Sequence, residues 1–259
     1  MAKHLAPLPG QSRPLLFAHR GLSSEAPENT MAAFRLARDY GIPGVELDIH
    51  LTADDRMVVA HDYNTDRTSP DNKLTIAGSN WEQLRTVDVG AWKDPKYAGE
   101  HIPLLSDLLE EHGKDFYFDI EMKSRDNTDG HLEAMLARLL DDFKMEADRV
   151  VVSSFNPVML AKFKATCPGI PTAIIYCADD DVPWYLRRGE GRWIAGADFL
   201  KPKHVIPTRI RLAFGRAIGG RQVLPWTVDD PAIARRMIDI GCEGVISNKP
   251  HALGLRNGD

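Results

Sequence analysis

Four short stretches of this chain place titratable side chains in or just after runs that otherwise read as buried strands. They are Ala18-His19-Arg20-Gly21, Glu46-Leu47-Asp48, Ala60-His61-Asp62 and Asp119-Ile120-Glu121-Met122-Lys123. A buried charge without a partner is costly, so acids in such runs need counter-charges or a bound ion. Histidine titrates near neutrality, and a pair such as His19 and His61 can supply a general base and a general acid in one cycle. Arg20 offers a planar fork for phosphate oxygens. The carboxylates Glu46, Asp48 and Glu121 offer hard oxygen ligands, which suit Mg²⁺, Ca²⁺ or Mn²⁺ rather than zinc. A divalent ion of that kind can polarise a phosphoryl group. The set points to metal-assisted chemistry at a phosphate. A buried ion-pair network, with Lys123 neutralising Glu121, would explain the acids alone, and the two histidine motifs weigh against it.

These groups need elements that aim them at one place. Glu46 and Asp48 are two apart on a strand, so they share a face, while Val45, Leu47 and Ile49 take the other. Glu121 and Lys123 repeat this, with Phe118, Ile120 and Met122 opposite. Strands are predicted at Leu15–Ala18, Val45–His50, Phe116–Glu121, Val150–Ser153, Thr172–Tyr176, Ala197–Leu200, Gln222–Pro225 and Gly244–Ile246. Helical periodicity fills the gaps, as at Asn29–Tyr40 and His131–Leu140. Pro157 and Pro231 stand where a first helical turn would begin, behind Asn156 and Asp230 as caps.

Eight strands alternating with helices predict an α/β fold with a parallel sheet, closed as a (β/α)₈ TIM barrel. A doubly wound open sheet is the second architecture, but no Gly-rich dinucleotide fingerprint follows the first strand. In a barrel the polar parity is the interior face near the C-terminal mouth. The expected organisation is one domain over residues 1–259, with a small insertion at about 51–105 between the second strand and second helix. That insertion contains a further strand at Met57–Ala60, the polar stretch Asp62–Lys73, and Trp81, Trp92 and Tyr97.

A hydrophobic content of 43% suffices for a core of this size, and a net charge of −5 without a long basic block argues against nucleic acid as a partner. Cys167, Cys177 and Cys242 have no metal-type spacing and read as free thiols, which favours a reducing compartment. The segment Met1–Pro14 lacks the apolar core of a secretory signal, and no integral membrane segment is expected. A cytoplasmic protein is the simplest expectation. No feature of the sequence selects an oligomeric state.

The ordered motifs resemble the glycerophosphodiester phosphodiesterase family, over most of the chain. The family's opening signature matches His19-Arg20-Gly21 and Pro27-Glu28-Asn29-Thr30. Its acidic strand and following His-Asp match Glu46, Asp48 and His61-Asp62, and its later Glu-x-Lys matches Glu121 and Lys123. Weaker echoes are Ile102-Pro103-Leu104-Leu105, Ser154-Phe155-Asn156, Trp226-Thr227-Val228 and Gly244-Val245-Ile246. The resemblance implies a bacterial-type TIM-barrel enzyme that hydrolyses a small-molecule glycerophosphodiester to an alcohol and sn-glycerol 3-phosphate. It implies one divalent cation, Mg²⁺ or Ca²⁺ with Mn²⁺ as a further candidate, held by Glu46, Asp48 and Glu121. It implies His19 and His61 as acid and base, in either order, and Arg20 and Lys123 as phosphate-side charges. Glu28 looks like an additional site residue, near the metal or holding Arg20, whereas Asn29 reads at least as well as a helix cap.

Two positions depart from the family pattern. Ser247-Asn248-Lys249-Pro250 stands where Thr-Asp-x-Pro is common, and Asp229 stands where Asn is common. Neither is expected to touch the metal or proton-transfer residues. Trp226 is expected to wall the substrate pocket, with Lys201 and His204 as weaker candidates for its mouth. Asp179-Asp180-Asp181 reads as a solvated loop capping a helix near Pro183. Arg209, Arg211, Arg216 and Arg221 read as a solvated face, and Trp184, Tyr185 and Trp193 as an interface or loop core. Two other functions fit the same residues. One is a lysophospholipase D-like action, with an acyl channel in the Trp81/Trp92 insertion, and the other is a non-catalytic phosphate-binding module.

Overall fold

Alternation of inward and outward side chains along short strands, each followed by an amphipathic helix, builds the fold. The computed structural model describes residues 14–123, 129–180, 182–210, 212 and 222–255. Its elements are β1 (Leu15–His19), α1 (Met31–Asp39), β2 (Gly44–Leu51), β3 (Met57–Val59), α2 (Trp81–Leu84), α3 (Leu105–His112), β4 (Tyr117–Met122), α4 (His131–Asp142), β5 (Val150–Ser154), α5 (Pro157–Thr166), β6 (Thr172–Tyr176), α6 (Gly191–Ala195), β7 (Phe199–Pro202), β8 (Gln222–Val223), α7 (Pro231–Asp239) and β9 (Gly244–Ser247). The strands pair in the order β8-β7-β6-β5-β4-β2-β1-β9, all parallel, and β3 adds antiparallel to β2. Backbone hydrogen bonds from Glu243 to Val223 (3.1 Å) and from Ile246 to Pro225 (3.0 Å) close the seam between β8 and β9. The result is an α/β (β/α)₈ barrel. Among the described residues no helix is long and apolar enough to cross a membrane.

Two apolar layers hold it. Outside the strands, Val45, Leu47, Ile49, Phe118, Ile120 and Met122 pack under helix residues such as Phe34, Leu108, Leu136 and Phe163. Inside, Leu15, Phe17, Tyr117, Val151, Ala173, Phe199, Leu224 and Ile246 plug the lower barrel. Above this plug the same inward parity becomes polar, because the interior can be filled by side chains only up to the mouth, where ligands bind. The predicted caps hold: Asn156 accepts hydrogen bonds at the start of α5, and Asp230 at the start of α7, each followed by proline.

Several local expectations change. Thr30 caps α1, accepting from the Ala33 amide, so Asn29 is not the cap. Its backbone is left-handed (φ 55°), which turns its side chain inward instead. No helix begins at Pro183. Turns occupy 183–190, and α6 starts only at Gly191. Strand β7 runs Phe199–Pro202, two residues later than predicted, because Asp198 is spent on the Thr172 amide, and pairing with β6 begins at Phe199.

Residues 52–104 form a cap beside the mouth, with a small core of Val58, Ile76, Leu84, Val87, Val89 and Ile102. Because β3 lies directly on β2, the segment following β3, His61–Asn64, emerges next to the acidic end of β2.

Candidate active site

Register decides which inward side chains share a level. His19 pairs with Glu46 across β1 and β2. On β2 and β4, Glu46 lies level with Asp119, and Asp48 with Glu121. One oxygen from each of Glu46, Asp48 and Glu121 can lie within 4.8 Å of the others, and all three residues are buried. Lys123 Nζ sits 3.1 Å from Asp48 Oδ1 and 2.6 Å from Glu121 Oε1. Asn29 donates to Asp48 Oδ2 at 2.9 Å, while its own buried Oδ1 has no hydrogen-bond partner.

The charges are unequal. Burial and the neighbouring Asp48 carboxylate push Glu46 well above the usual carboxylate range. Burial would raise Asp48 too, but Lys123 and Arg20 outweigh it and hold this carboxyl far below that range. Asp48 and Glu121 in turn raise Lys123, against its own burial. Glu46 lacks the close lysine contact of Asp48 and Glu121, its nearest support being the Arg20 amide at 3.2 Å from Oε2 with the Lys201 charge farther off. The three carboxylates are a donor set that fits a hard divalent cation. That fit rests on the donor chemistry of the three carboxylates and on the approach of their oxygens to within 4.8 Å of one another.

One level deeper, Asp119 is fully buried and belongs to a different group. Lys201 Nζ is 2.8 Å from its Oδ2, and Ser153 donates to its Oδ1 at 2.7 Å. Lys201 also donates to Ser153 Oγ at 3.0 Å. Lys201 therefore lies below the acidic cluster, with only its upper surface exposed to the cavity.

His19 ends β1 with its ring largely buried. Its Nδ1 lies 2.7 Å from Asn248 Oδ1, and its Nε2 lies 3.8 Å from Glu46 Oε2. Asn248 is itself oriented: its Nδ2 donates to Asp229 Oδ2 at 2.6 Å, and Asp229 Oδ1 accepts from the Asn248 amide at 2.8 Å. A carboxylate accepts only, so the amide side chain must turn Oδ1 toward the ring, and His19 must carry its proton on Nδ1. Burial, reinforced by Arg20, pushes His19 down to about 4, so this ring is neutral at pH 7. This corrects the expectation that the two departures from the family pattern touch no proton-transfer residue. Asn248 holds His19 directly, and Asp229 holds Asn248. Relative to the pattern that the sequence resembles, amide and carboxylate have exchanged places, and here the two residues hydrogen-bond to each other, which no local feature of either motif reveals.

Arg20 and Gly21 both have positive φ, 58° and 76°. A Cβ at Gly21 would lie 2.7 Å from Ala33 Cβ, so glycine lets the turn after His19 lie against α1. The turn aims the Arg20 guanidinium at Glu28 (2.8 Å) and Asp48 (3.4 Å).

His61 enters from the opposite side, just after β3. Its Nδ1 lies 2.7 Å from Asp62 Oδ1. Arg67, within the stretch read only as polar, joins the two sides. Its Nε donates to Asp62 Oδ2 at 2.7 Å, and its two terminal nitrogens donate to both Glu28 oxygens at 3.0 and 2.7 Å. Burial would raise Glu28, but the Arg67 hydrogen bonds and the Arg20 charge lower it.

These groups surround a cavity of about 800 Å³ at the barrel mouth. His19, Arg20, Glu46, His61, Glu121, Lys123 and Trp226 line it, whereas Asp48, Asn29 and Glu28 stand behind its wall. Trp226 is fixed by a hydrogen bond from its Nε1 to the Lys201 carbonyl (2.8 Å) and meets Phe155 edge-on at 5.7 Å. The apolar side comes from Ile175 on β6 and from the loops after β5 and β6, including Phe155, Val182 and Leu186. Trp81 and Trp92 do not line it, and neither does His204. Asp179 and Asp180 are exposed, as the solvated-loop reading expects, and Asp179 also lines the cavity and pairs with Lys203 at 2.8 Å. Trp184, Tyr185 and Trp193 are exposed, as is Arg209. Asp181, Arg211, Arg216 and Arg221 lie outside the described residues.

Comparison with known proteins agrees with this geometry. The model of the glycerophosphoryl diester phosphodiesterase family matches residues 19–252. A protein of Caldanaerobacter subterraneus subsp. tengcongensis named glycerophosphodiester phosphodiesterase is 35% identical over 240 residues, covering 92% of this chain and 96% of that protein. One of the same name from Bacillus altitudinis is 30% identical over 243 residues, covering 91% and 94%. Among solved structures, an Oleispira antarctica phosphodiesterase in complex with the product sn-glycerol-3-phosphate superposes with a TM-score of 0.83. It is 27% identical and covers 93% of this chain and 95% of that one.

Proposed function

The chain belongs to the glycerophosphoryl diester phosphodiesterase family and is an enzyme of that class, and on that premise we propose a specific reaction and a division of labour among its residues. The reaction is hydrolysis of a small glycerophosphodiester to an alcohol and sn-glycerol 3-phosphate, dependent on one divalent cation. The observation that carries it is the meeting of Glu46, Asp48 and Glu121 within 4.8 Å, at the wall of a cavity that Glu46, Glu121, His19 and His61 line. The product complex of the Oleispira relative supports the same substrate class.

Glu46, Asp48 and Glu121 would hold the cation, with Mg²⁺, Ca²⁺ or Mn²⁺ suited to three carboxylate oxygens. When bound, such an ion supplies a Lewis acid that polarises a phosphoryl oxygen. Arg20 and Lys123 add positive charge beside the phosphate, which stabilises charge developing on its oxygens. Each histidine has its Nδ1 engaged, by Asn248 or Asp62, which leaves Nε2 for the substrate. One histidine takes the proton of the attacking hydroxyl while the other protonates the leaving oxygen. In the first step the attacking group is the glycerol 2-hydroxyl, and in the second it is water opening the cyclic phosphate, with the two roles exchanged. Trp226 and Phe155 wall the side from which a head group leaves. The whole chain acts as one barrel domain with residues 51–105 inserted, and three cysteines that form no disulfide support a cytoplasmic setting.

The test is release of glycerol 3-phosphate from glycerophosphocholine, glycerophosphoethanolamine and glycerophosphoinositol, with Mg²⁺, Ca²⁺, Mn²⁺ or chelator. Metal-dependent release is expected, lost by several orders of magnitude in His19→Ala and His61→Ala. Release of choline and lysophosphatidate from lysophosphatidylcholine, with no glycerol 3-phosphate from the three diesters, would replace this reading with the lysolipid one. Tight binding of substrate and metal with no turnover of either class would make the protein a phosphate-binding module.

A further inference from the structure

Arg67 makes three hydrogen bonds with one planar group: one to Asp62 and two to Glu28. Asp62 holds His61 Nδ1, and Glu28 holds Arg20 at 2.8 Å. The five side chains form one continuous line, His61–Asp62–Arg67–Glu28–Arg20, running from the cap segment to the turn after β1. The backbone links these arms only at their bases, through β2, where the Arg20 amide donates to the Glu46 carbonyl (2.7 Å) and the Ala60 amide to the Asp48 carbonyl (3.0 Å); the side-chain line joins them beyond that point. The Arg67 guanidinium also lies over the Trp92 ring, 5.6 Å from its centroid. Arg67 stands outside the lining of the large cavity, behind His61 and Asp62.

We propose that Arg67 is a positioning residue that sets the distance between His61 and Arg20 across the cavity, and that the Trp92 face holds it in plane. The proposal rests on the phosphodiesterase reading for its kinetic consequences. Its physical basis is geometric. A guanidinium holds two carboxylates at fixed angles in one plane, whereas a lysine ammonium can touch two but is a point charge that fixes neither plane nor angle. Without it, Asp62 is free to rotate away from Nδ1, and Glu28 can follow Arg20 out of place. Misplacing a reacting group by about 1 Å costs about 10²-fold in rate.

The experiment compares wild type, Arg67→Ala, Arg67→Lys and His61→Ala with glycerophosphocholine, and adds guanidinium chloride below denaturing concentration. Arg67→Ala is expected to lose about 10²-fold in kcat with a smaller change in KM. Arg67→Lys should stay close to Arg67→Ala, and free guanidinium should restore Arg67→Ala in part but not His61→Ala. Wild-type kcat in Arg67→Lys, or a loss in Arg67→Ala matched by its loss of folded protein, would overturn the proposal. A second readout needs no turnover: ¹⁵N–¹H spectra of the His61 imidazole. A single Nδ1–H tautomer is expected in wild type and a mixture in Arg67→Ala, and an unchanged spectrum would overturn the proposal. Should wild type release no glycerol 3-phosphate, the phosphodiesterase reading fails, and the imidazole spectra still decide the role of Arg67.

Discussion

Asn248 and His19 lie 229 positions apart in the sequence and 2.7 Å apart in the barrel, with Asp229 dictating which way the amide faces. This small relay fixes the tautomer of a ring that lines the candidate site. The exchange of amide and carboxylate between positions 229 and 248 keeps one charge in the pair and puts the neutral partner against the imidazole.

Reversing that exchange is a test. Asn248→Asp alone sets two carboxylates side by side, and Asp229→Asn alone removes the acceptor that orients Asn248. Each single variant is expected to lose at least about tenfold in kcat, and the double variant Asn248→Asp/Asp229→Asn to recover most of it. Such a coupling corresponds to about 1–3 kcal/mol between contacting residues. Additive losses in the double-mutant cycle would show that the pair does not act as a unit.

Metal binding should be visible without substrate. A ligand that binds only the folded state stabilises it by about 2.7 kcal/mol at a hundred times its Kd. Mg²⁺, Ca²⁺ or Mn²⁺ is expected to raise the melting temperature of chelator-treated wild type, with a much smaller rise for Glu46→Gln. An equal rise in both proteins would move the cation away from Glu46, Asp48 and Glu121.

Beneath the site, the ion pair of Lys201 and Asp119 is almost fully buried. Lys201→Met would strand the Asp119 charge, and removing one partner of a buried pair costs about 3–5 kcal/mol. Urea unfolding should show that loss, and Asp119→Asn added to Lys201→Met should restore a large part. If Lys201→Met proved as stable as wild type, the pair would have no structural role.

Acid sensitivity should trace in part to Glu28. The Arg67 and Arg20 contacts overcome burial and lower its folded pKa below the unfolded value of 4.5. The unfolded chain therefore binds the proton first, so this stabilisation is complete above the ordinary glutamate range and fades as pH falls through the folded value. Urea midpoints measured from pH 7 down to pH 3 should fall less steeply below about pH 5 in Glu28→Gln than in wild type. Parallel curves would contradict the Glu28 assignment.

The inward and outward faces of β2 and β4 were legible in the sequence because strand side chains alternate strictly. Glu46 and Asp48 had to share a side, as did Glu121 and Lys123. Helix starts at Pro157 and Pro231 were legible because capping is local chemistry. What alternation cannot supply is register between strands. Asp119 and Glu121 have the same parity, and only pairing with β2 puts Glu121 level with Asp48 while Asp119 drops to Lys201. Arg67 and Asn248 were out of reach for a related reason. Each acts from a loop, where no period marks direction, on partners brought near by strand pairing: Asn248 through β1 beside β9, and Arg67 through β3 on β2. Local composition thus determined which chemistry this chain carries. Closure of the barrel decided which of its acids, histidines and arginines meet, because that depends on contacts between strands and loops far apart in the chain.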